Sequence, residues 1–239
     1  MRFLYFDCFA GISGHMLLAA LCDLGIDQNI ITGLPHRMKM DDLDAVLITR
    51  ECHALRGLEL QFPNANGTGQ RTLSDVTRII DAADLSDPVK KAAGRTYRLL
   101  ALAEARVHNS TPELVKFHEV GYDQAIAGVT GFFAAMEALG WPKAYSSSLV
   151  LGNGLTHAAH GVIPLPGPAV MEILKGKPVR FIDLEGETVT PTGAALLAGF
   201  ADFGPCPEMI VSAVGYGVGA KQSLDRPNMV RVIMGEGRE

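Results

Sequence analysis

The chain has 239 residues, 48% of them hydrophobic and 20% charged, with a formal net charge of −5. That is enough apolar material for one large domain or two small ones, and it excludes a disordered chain. The negative balance gives no electrostatic case for nucleic acid or an anionic membrane as partner, and no apolar run approaches the ~20 residues of a membrane span. The four cysteines, Cys8, Cys22, Cys52 and Cys206, are scattered without C-x-x-C spacing. With no export signal ahead of the first strand, reduced thiols in a cytoplasm are expected.

The chain opens R-F-L-Y-F-D-C-F-A-G-I-S-G-H-M. Phe3 to Phe6 reads as a buried strand, with Asp7 and Cys8 at its end. Gly11, Ser13 and Gly14 form a small-residue turn, and Met16 to Leu24 has helical patterning that stops at Gly25. Backbone N–H groups at such a helix start favour anions, which makes Ser13 and Gly14 candidate ligand contacts. His15 stands at the mouth of the helix, where a cation opposes the helix dipole. It is therefore expected to be neutral, or paired with something negative or metallic.

Asp44 to Arg50 and Leu55 to Phe62 carry partial alternation, with Gly57 between, and read as a hairpin or a bent strand pair. Pro63 to Gln70 is a short flexible loop by composition. Thr72 or Ser74 caps a helix with Val76, Ile79 and Ile80 on one face. Ser86, with Pro88 two residues on, starts a longer helix through Arg106, with apolar positions at Ala92, Leu99, Leu100, Leu102 and Ala103. Leu114 to Gly121 is a short extended piece, and Asp123 to Leu139 is a helix rich in small residues. Ala144 to Leu151 reads as a strand, Gly161 to Gly167 as an ordered turn with two prolines, and Ala169 to Leu174 as a short helix. Val179 to Ile182 is a strand, and Pro191 to Phe203 is a helix with proline at its first position. Glu208 to Gly217 and Asn228 to Gly235 finish as strands. The interleaving predicts an α/β or α+β fold, a mixed sheet built from both chain ends with a helical middle lobe at about 72–140.

Three further groups carry chemistry. His118 and Glu119 precede a glycine, and a histidine beside a carboxylate serves as metal ligands or as an acid–base unit. Neighbours on a strand point to opposite faces, so both reach one site only if the chain turns there. The plain alternative is an edge strand with one side chain buried and one solvated. His157 and His160 have a spacing that suits one face of a helical turn and a shared metal, although the adjacent glycine and prolines argue for a loop. In E-G-E-T-V-T-P-T-G, Thr190 is a helix cap and Pro191 the first helical residue. The cap does not account for three alternating threonines, so Thr190, Thr192 and Gly193 are candidate contacts for an anion such as phosphate. Glu185 and Glu187 would repel it unless a divalent ion lies between. The glycines of G-Y-G-V-G permit close backbone approach, and a hairpin with bulges explains them adequately.

Together the segments D-C-F-A-G-I-S-G-H-M, F-H-E-V-G, A-H-G-V-I-P-L-P-G-P-A, E-G-E-T-V-T-P-T-G-A-A-L-L and G-Y-G-V-G…R-P-N resemble the N-terminal part of the LarC family, over nearly the whole chain. That resemblance implies insertion of nickel into a pyridinium mononucleotide bearing two thiocarboxylates, dependent on CTP. It implies a single N-terminal-type domain over 1–239. The chain would then work alone or with a separately encoded partner that supplies the family's C-terminal nucleotide-binding domain, with a homo-oligomer also open. Asp7, His118 and Glu119 are the implied catalytic residues, and His15, His118, Glu119 and His160 the implied metal contacts. Several positions depart from the family pattern. His15 stands where the family carries Asp, and Gln124 and Gly128 stand where it carries two more. The loop between Phe62 and Arg71 has no histidine, and Ala158 replaces a common cysteine. A less acidic site binds hard cations more weakly. Three readings stay open: a nickel-handling protein, a binding or assembly module that has lost the chemistry, and a small-molecule enzyme that re-uses the crevice. They differ in whether Asp7, His15, His118 and Glu119 converge.

Overall fold

The computed structural model describes residues 1–65, 70–158, 161–221 and 226–237. In chain order the elements are β1 (Arg2–Asp7), α1 (Gly14–Asp23), α2 (Asn29–Thr32), α3 (Leu34–Arg37), β2 (Val46–Cys52), β3 (Leu55–Gln61), β4 (Arg71–Thr72), α4 (Leu73–Ala82), α5 (Asp87–Val107) and β5 (Lys116–Phe117). A single 3-10 turn (Glu119–Gly121) leads to α6 (Asp123–Ala138). Then come β6 (Lys143–Ser146), β7 (Leu149–Asn153), β8 (Leu155–Ala158), β9 (Gly161–Pro164), α7 (Pro168–Ile173), β10 (Val179–Glu185), α8 (Pro191–Phe200), β11 (Asp202–Phe203), β12 (Met209–Val218) and β13 (Met229–Gly237).

The main sheet has the strand order β11-β6-β1-β13-β12-β3-β2. It is mixed: β1 runs parallel to β6 and antiparallel to β13. Both chain ends therefore meet at its centre, as the patterning predicts. Leu4, Phe6, Val230 and Val232 are fully buried on the face that packs against helices. α1 lies directly on β12, because Gly215 and Gly217 leave room for it. A Cβ at Gly217 would stand 1.8 Å from the Met16 carbonyl oxygen. Close approach, not a bulge, is thus the reason for the G-Y-G-V-G run; the register shift in β12 falls between Val211 and Ala213. α6 from the helical middle packs onto the same core, where Phe132 meets Phe6 with ring centroids 5.9 Å apart. Thr72 and Asp75 form a reciprocal capping box at the start of α4, and Ser86 caps α5.

Several sequence expectations need correction. The β2–β3 turn is His53–Ala54, both with positive φ, and Gly57 lies inside β3 opposite Arg50. Leu102 is 49% exposed on the outer side of α5. The strand expected over 144–151 is two strands in different sheets. β6 stays in the main sheet, while β7 leaves after Ser147 to pair with β10. Gly161–Pro164 is not a turn but the second strand of the β8–β9 hairpin. Much of the Pro63–Gln70 loop, residues 66–69, lies outside the described residues.

Candidate functional site

A cavity of about 520 Å³ opens where four helices begin. The starts of α1 (Ser13, Gly14, His15), α6 (Tyr122, Gln124), α7 (Pro168, Ala169) and α8 (Thr190, Pro191, Thr192) form much of its wall. Helix N-termini present unpaired N–H groups and a partial positive charge, so their convergence suits a bound anion.

The α1 and α8 starts are tied together by backbone. The Ile12 N–H donates to the Thr188 carbonyl at 2.8 Å, and the Thr190 N–H donates to the Ile12 carbonyl at 3.0 Å. Gly11 makes this clasp possible: its φ is +113°, and a Cβ there would fall 2.0 Å from the Thr188 carbonyl oxygen. Ser13 caps α1 by accepting from the Met16 N–H, and Thr190 caps α8 by accepting from the Gly193 N–H at 3.2 Å. The three threonines divide the labour. Thr188 joins β7, accepting from the Gly152 N–H and donating to the Val150 carbonyl. Thr190 is the cap, and Thr192 stands on the cavity wall. Gly193 is buried behind them.

His15 extends from the first turn of α1 toward α6. Its Nε2 lies 3.3 Å from the Gln124 carbonyl oxygen and its ring 5.0 Å from the ring of Phe62. A carbonyl only accepts, so Nε2 carries the proton and Nδ1 the lone pair. Burial pushes the imidazole below its ordinary value of 6.5, and the bond to Gln124 opposes this in part. Burial thus favours the same neutral form that the helix dipole favours. Gly128 makes room for the ring: a Cβ there would sit 3.3 Å from His15 Cδ2.

His118 and Glu119 both reach the cavity because the chain turns between β5 and α6. The expected extended run lasts only two residues before the 3-10 turn. The Gln70 side-chain amide donates to His118 Nε2 at 2.6 Å, which leaves the His118 proton on Nδ1. Glu187 lines the opposite wall. Its carboxyl is raised above its ordinary value by desolvation in the wall; Lys221 pulls it back and Glu119 adds to the rise. Sequence patterning does not mark Lys116, Lys221, or the Glu104–His108 pair at the end of α5, all on the cavity wall. They gain a common address only by arriving from separate elements, which no local pattern records.

Other candidates lie elsewhere. Asp7 is not on the cavity wall. Its Oδ2 accepts from Arg231 Nε at 3.0 Å and from Nη2 at 2.5 Å, on the face of the sheet away from α1. Cys8 is fully buried, and burial pushes its thiol up to about 12, which leaves it unreactive at neutral pH. His157 lies on β8 and lines the cavity, on a strand and not on a helical turn; His160 lies outside the described residues. Among the described residues, no three His, Cys, Asp or Glu side chains come together as a metal-holding group. His15, His118 and Glu119 therefore share a cavity without forming a closed metal cage, and Asp7 does not join them.

The family model described as nickel insertion protein matches residues 4–239. A pyridinium-3,5-bisthiocarboxylic acid mononucleotide nickel insertion protein of Desulfitobacterium hafniense is 38% identical over 237 residues, covering 99% of this chain and 59% of that protein. A putative nickel insertion protein of Geobacter sulfurreducens is 40% identical over 246 residues, covering 99% and 62%. A Staphylococcus epidermidis relative, named like the Desulfitobacterium protein, is 37% identical over 234 residues, covering 98% and 59%. The chain thus spans about 60% of the length of these relatives. No solved structure matches it. Agreement over nearly the whole chain places this protein in the nickel insertion protein family.

Proposed function

We propose that this chain binds a pyridinium bisthiocarboxylic acid mononucleotide in the cavity and receives nickel beside it. The observation that carries the reading is that one cavity is lined both by the paired starts of α1 and α8 and by His15, His118 and Glu119. In this reading the phosphate lies at Ser13, Gly14, Thr190 and Thr192, with Gly193 giving α8 its close fit behind them. Lys116 and Lys221 add positive charge at the wall. Nickel is cargo here, not a resident cofactor. The substrate supplies soft sulfur, His15 and Glu119 supply borderline and hard donors, and His118 adds its Nε2 lone pair once Gln70 releases it. An open donor set of this kind suits transfer better than storage. CTP, by resemblance, belongs to the family's C-terminal nucleotide-binding domain, and a partner carrying such a domain would bring it to the cavity. A cytoplasmic setting fits the dispersed cysteines, and among the described residues no helix is long and apolar enough to cross a membrane.

Calorimetric titration with Ni²⁺ in the presence and absence of the mononucleotide tests this. Nickel is expected to bind at least tenfold more tightly with the mononucleotide present. A His118→Ala, Glu119→Ala double variant should lose that gain. If the double variant binds nickel as well as the parent chain, the cavity is not the nickel site and the assembly-module reading takes its place.

A further inference from the structure

The main sheet has a second face. Along β1, β6 and β13 burial alternates strictly at the centre, with Leu4, Phe6, Ala144, Val230 and Val232 inside. The residues between them are only half buried. Register places Tyr5 beside Tyr145 on β6 and Ile233 on β13, and Ile233 beside Val214 on β12. Phe3 packs edge-on against Tyr145, with ring centroids 5.7 Å apart. Val214 is 39% exposed and Val211 55%. An antiparallel sheet tolerates water on one face, but that face is then normally polar. This one carries a continuous aromatic and aliphatic patch, which marks an interaction surface.

Its charges come in matched pairs. Asp7 holds Arg231 at one end, and Lys143 Nζ lies 3.6 Å from Asp202 at the other. The patch is locally neutral on a chain whose net charge is −5. The patch therefore adds no like-charge repulsion of its own when two copies meet by it. A two-fold contact sets the same patch against itself, and opposite charges in each patch let Asp7 of one copy meet Arg231 of the other. Four strands of four to ten residues, at ~4.8 Å spacing and ~3.3 Å per residue, give on the order of 500 Å² of face per copy. Two copies would bury about 1,000 Å², the low end of specific interfaces, where association is weak and reversible.

We infer that a second copy of this chain covers the outer face of β6, β1, β13 and β12, making a two-fold dimer whose cavities open on the far sides. Such a dimer does not depend on the proposed nickel chemistry. Sedimentation velocity across a concentration series up to on the order of 100 µM tests it, at concentrations where an interface of this size is populated. The expected species has twice the 25.5 kDa chain mass. Val214→Glu should weaken the dimer at least tenfold, with far-UV circular dichroism and melting temperature holding the fold constant. Val162→Glu, at an exposed apolar site on the β8–β9 hairpin, should leave the dimer intact. A chain that stays monomeric throughout the series overturns the inference, including one that pairs only with a separate domain of the longer relatives. So does a dimer that Val162→Glu disrupts and Val214→Glu does not.

Discussion

Thr190 and Thr192 stand two residues apart and do different things. Thr190 closes the first turn of α8, and removing such a cap costs roughly 1 kcal/mol. Thr190→Val should therefore lower the melting temperature, read by calorimetry, by a few degrees for a chain of this size. Thr192 caps no N–H, although its hydroxyl meets that of Thr190 at 3.2 Å, so Thr192→Val should cost less than Thr190→Val, about 0.5 kcal/mol. In the proposed function it should nonetheless weaken mononucleotide binding by calorimetric titration. Equal loss of stability in both variants would remove Thr192 from the ligand wall.

His15 gives a pH signature. Its folded value lies below the ordinary 6.5, so the unfolded chain binds the proton more readily. The neutral ring's contribution is complete well above pH 6.5 and is lost as pH falls through 6.5 toward the folded value. Denaturant unfolding at pH 7.5 and 5.5 should show the parent losing more stability than His15→Asn, which cannot titrate. An identical loss in both would mean that His15 is solvated in the folded chain.

At the level of elements, the cavity depends on how closely α1 can lie on the sheet. Gly217 is the limiting position, since any side chain there meets the Met16 backbone. Gly217→Ala must lift α1 or bend β12, and overpacking of this kind costs ~1–3 kcal/mol or more. It should also displace Ser13 and Gly14 from Thr190 and Thr192, so chemical denaturation and mononucleotide affinity should fall together. Gly94, inside α5, has no atom within 4 Å of the place a Cβ would take. Gly94→Ala should instead stabilise, by about 0.5–1 kcal/mol. Helix starts were largely readable residue by residue, because caps and first-turn prolines are local signals: Ser86 and Thr190 cap as expected, Thr72 and not Ser74 caps α4, and Ser13, read as a turn residue, proves to cap α1. The His53–Ala54 turn was not, because neither residue is a usual choice for positive φ and the register of β2 on β3 imposes it.

For the whole molecule, the chain matches its relatives throughout but covers only about 60% of their length. In the proposed function residues 1–239 hold the mononucleotide, and completed insertion also draws on the portion of the family sequence beyond the matched residues. Absorbance of the nickel adduct, followed with and without that portion, checks this. Turnover by this chain alone would show that the cavity suffices. The Asp7–Arg231 pair belongs to this scale too. It links the first and last strands of the chain, neighbours at the centre of the sheet, but with Arg231 41% exposed, Arg231→Ala should cost no more than about 1 kcal/mol to the monomer.

Sequence patterning by itself determined most of the element types, the union of both chain ends in one sheet, most of the helix caps and the family-like segments. These rest on periodicity, capping chemistry and glycine spacing, which act over a few residues or along one strand. Tertiary structure alone decided which marked residues meet. It gathered His15, His118, Glu119 and Thr192 around one cavity, because four helix starts and a 3-10 turn point there. It drew in Lys116, Glu187 and Lys221, and it sent Asp7 to the opposite face of the sheet beside Arg231. The reason is the two-residue period of a strand. Phe6 turns toward the core, so Asp7 must turn away from it, and no property of Asp7 itself reveals that until the burial of Phe6 is known.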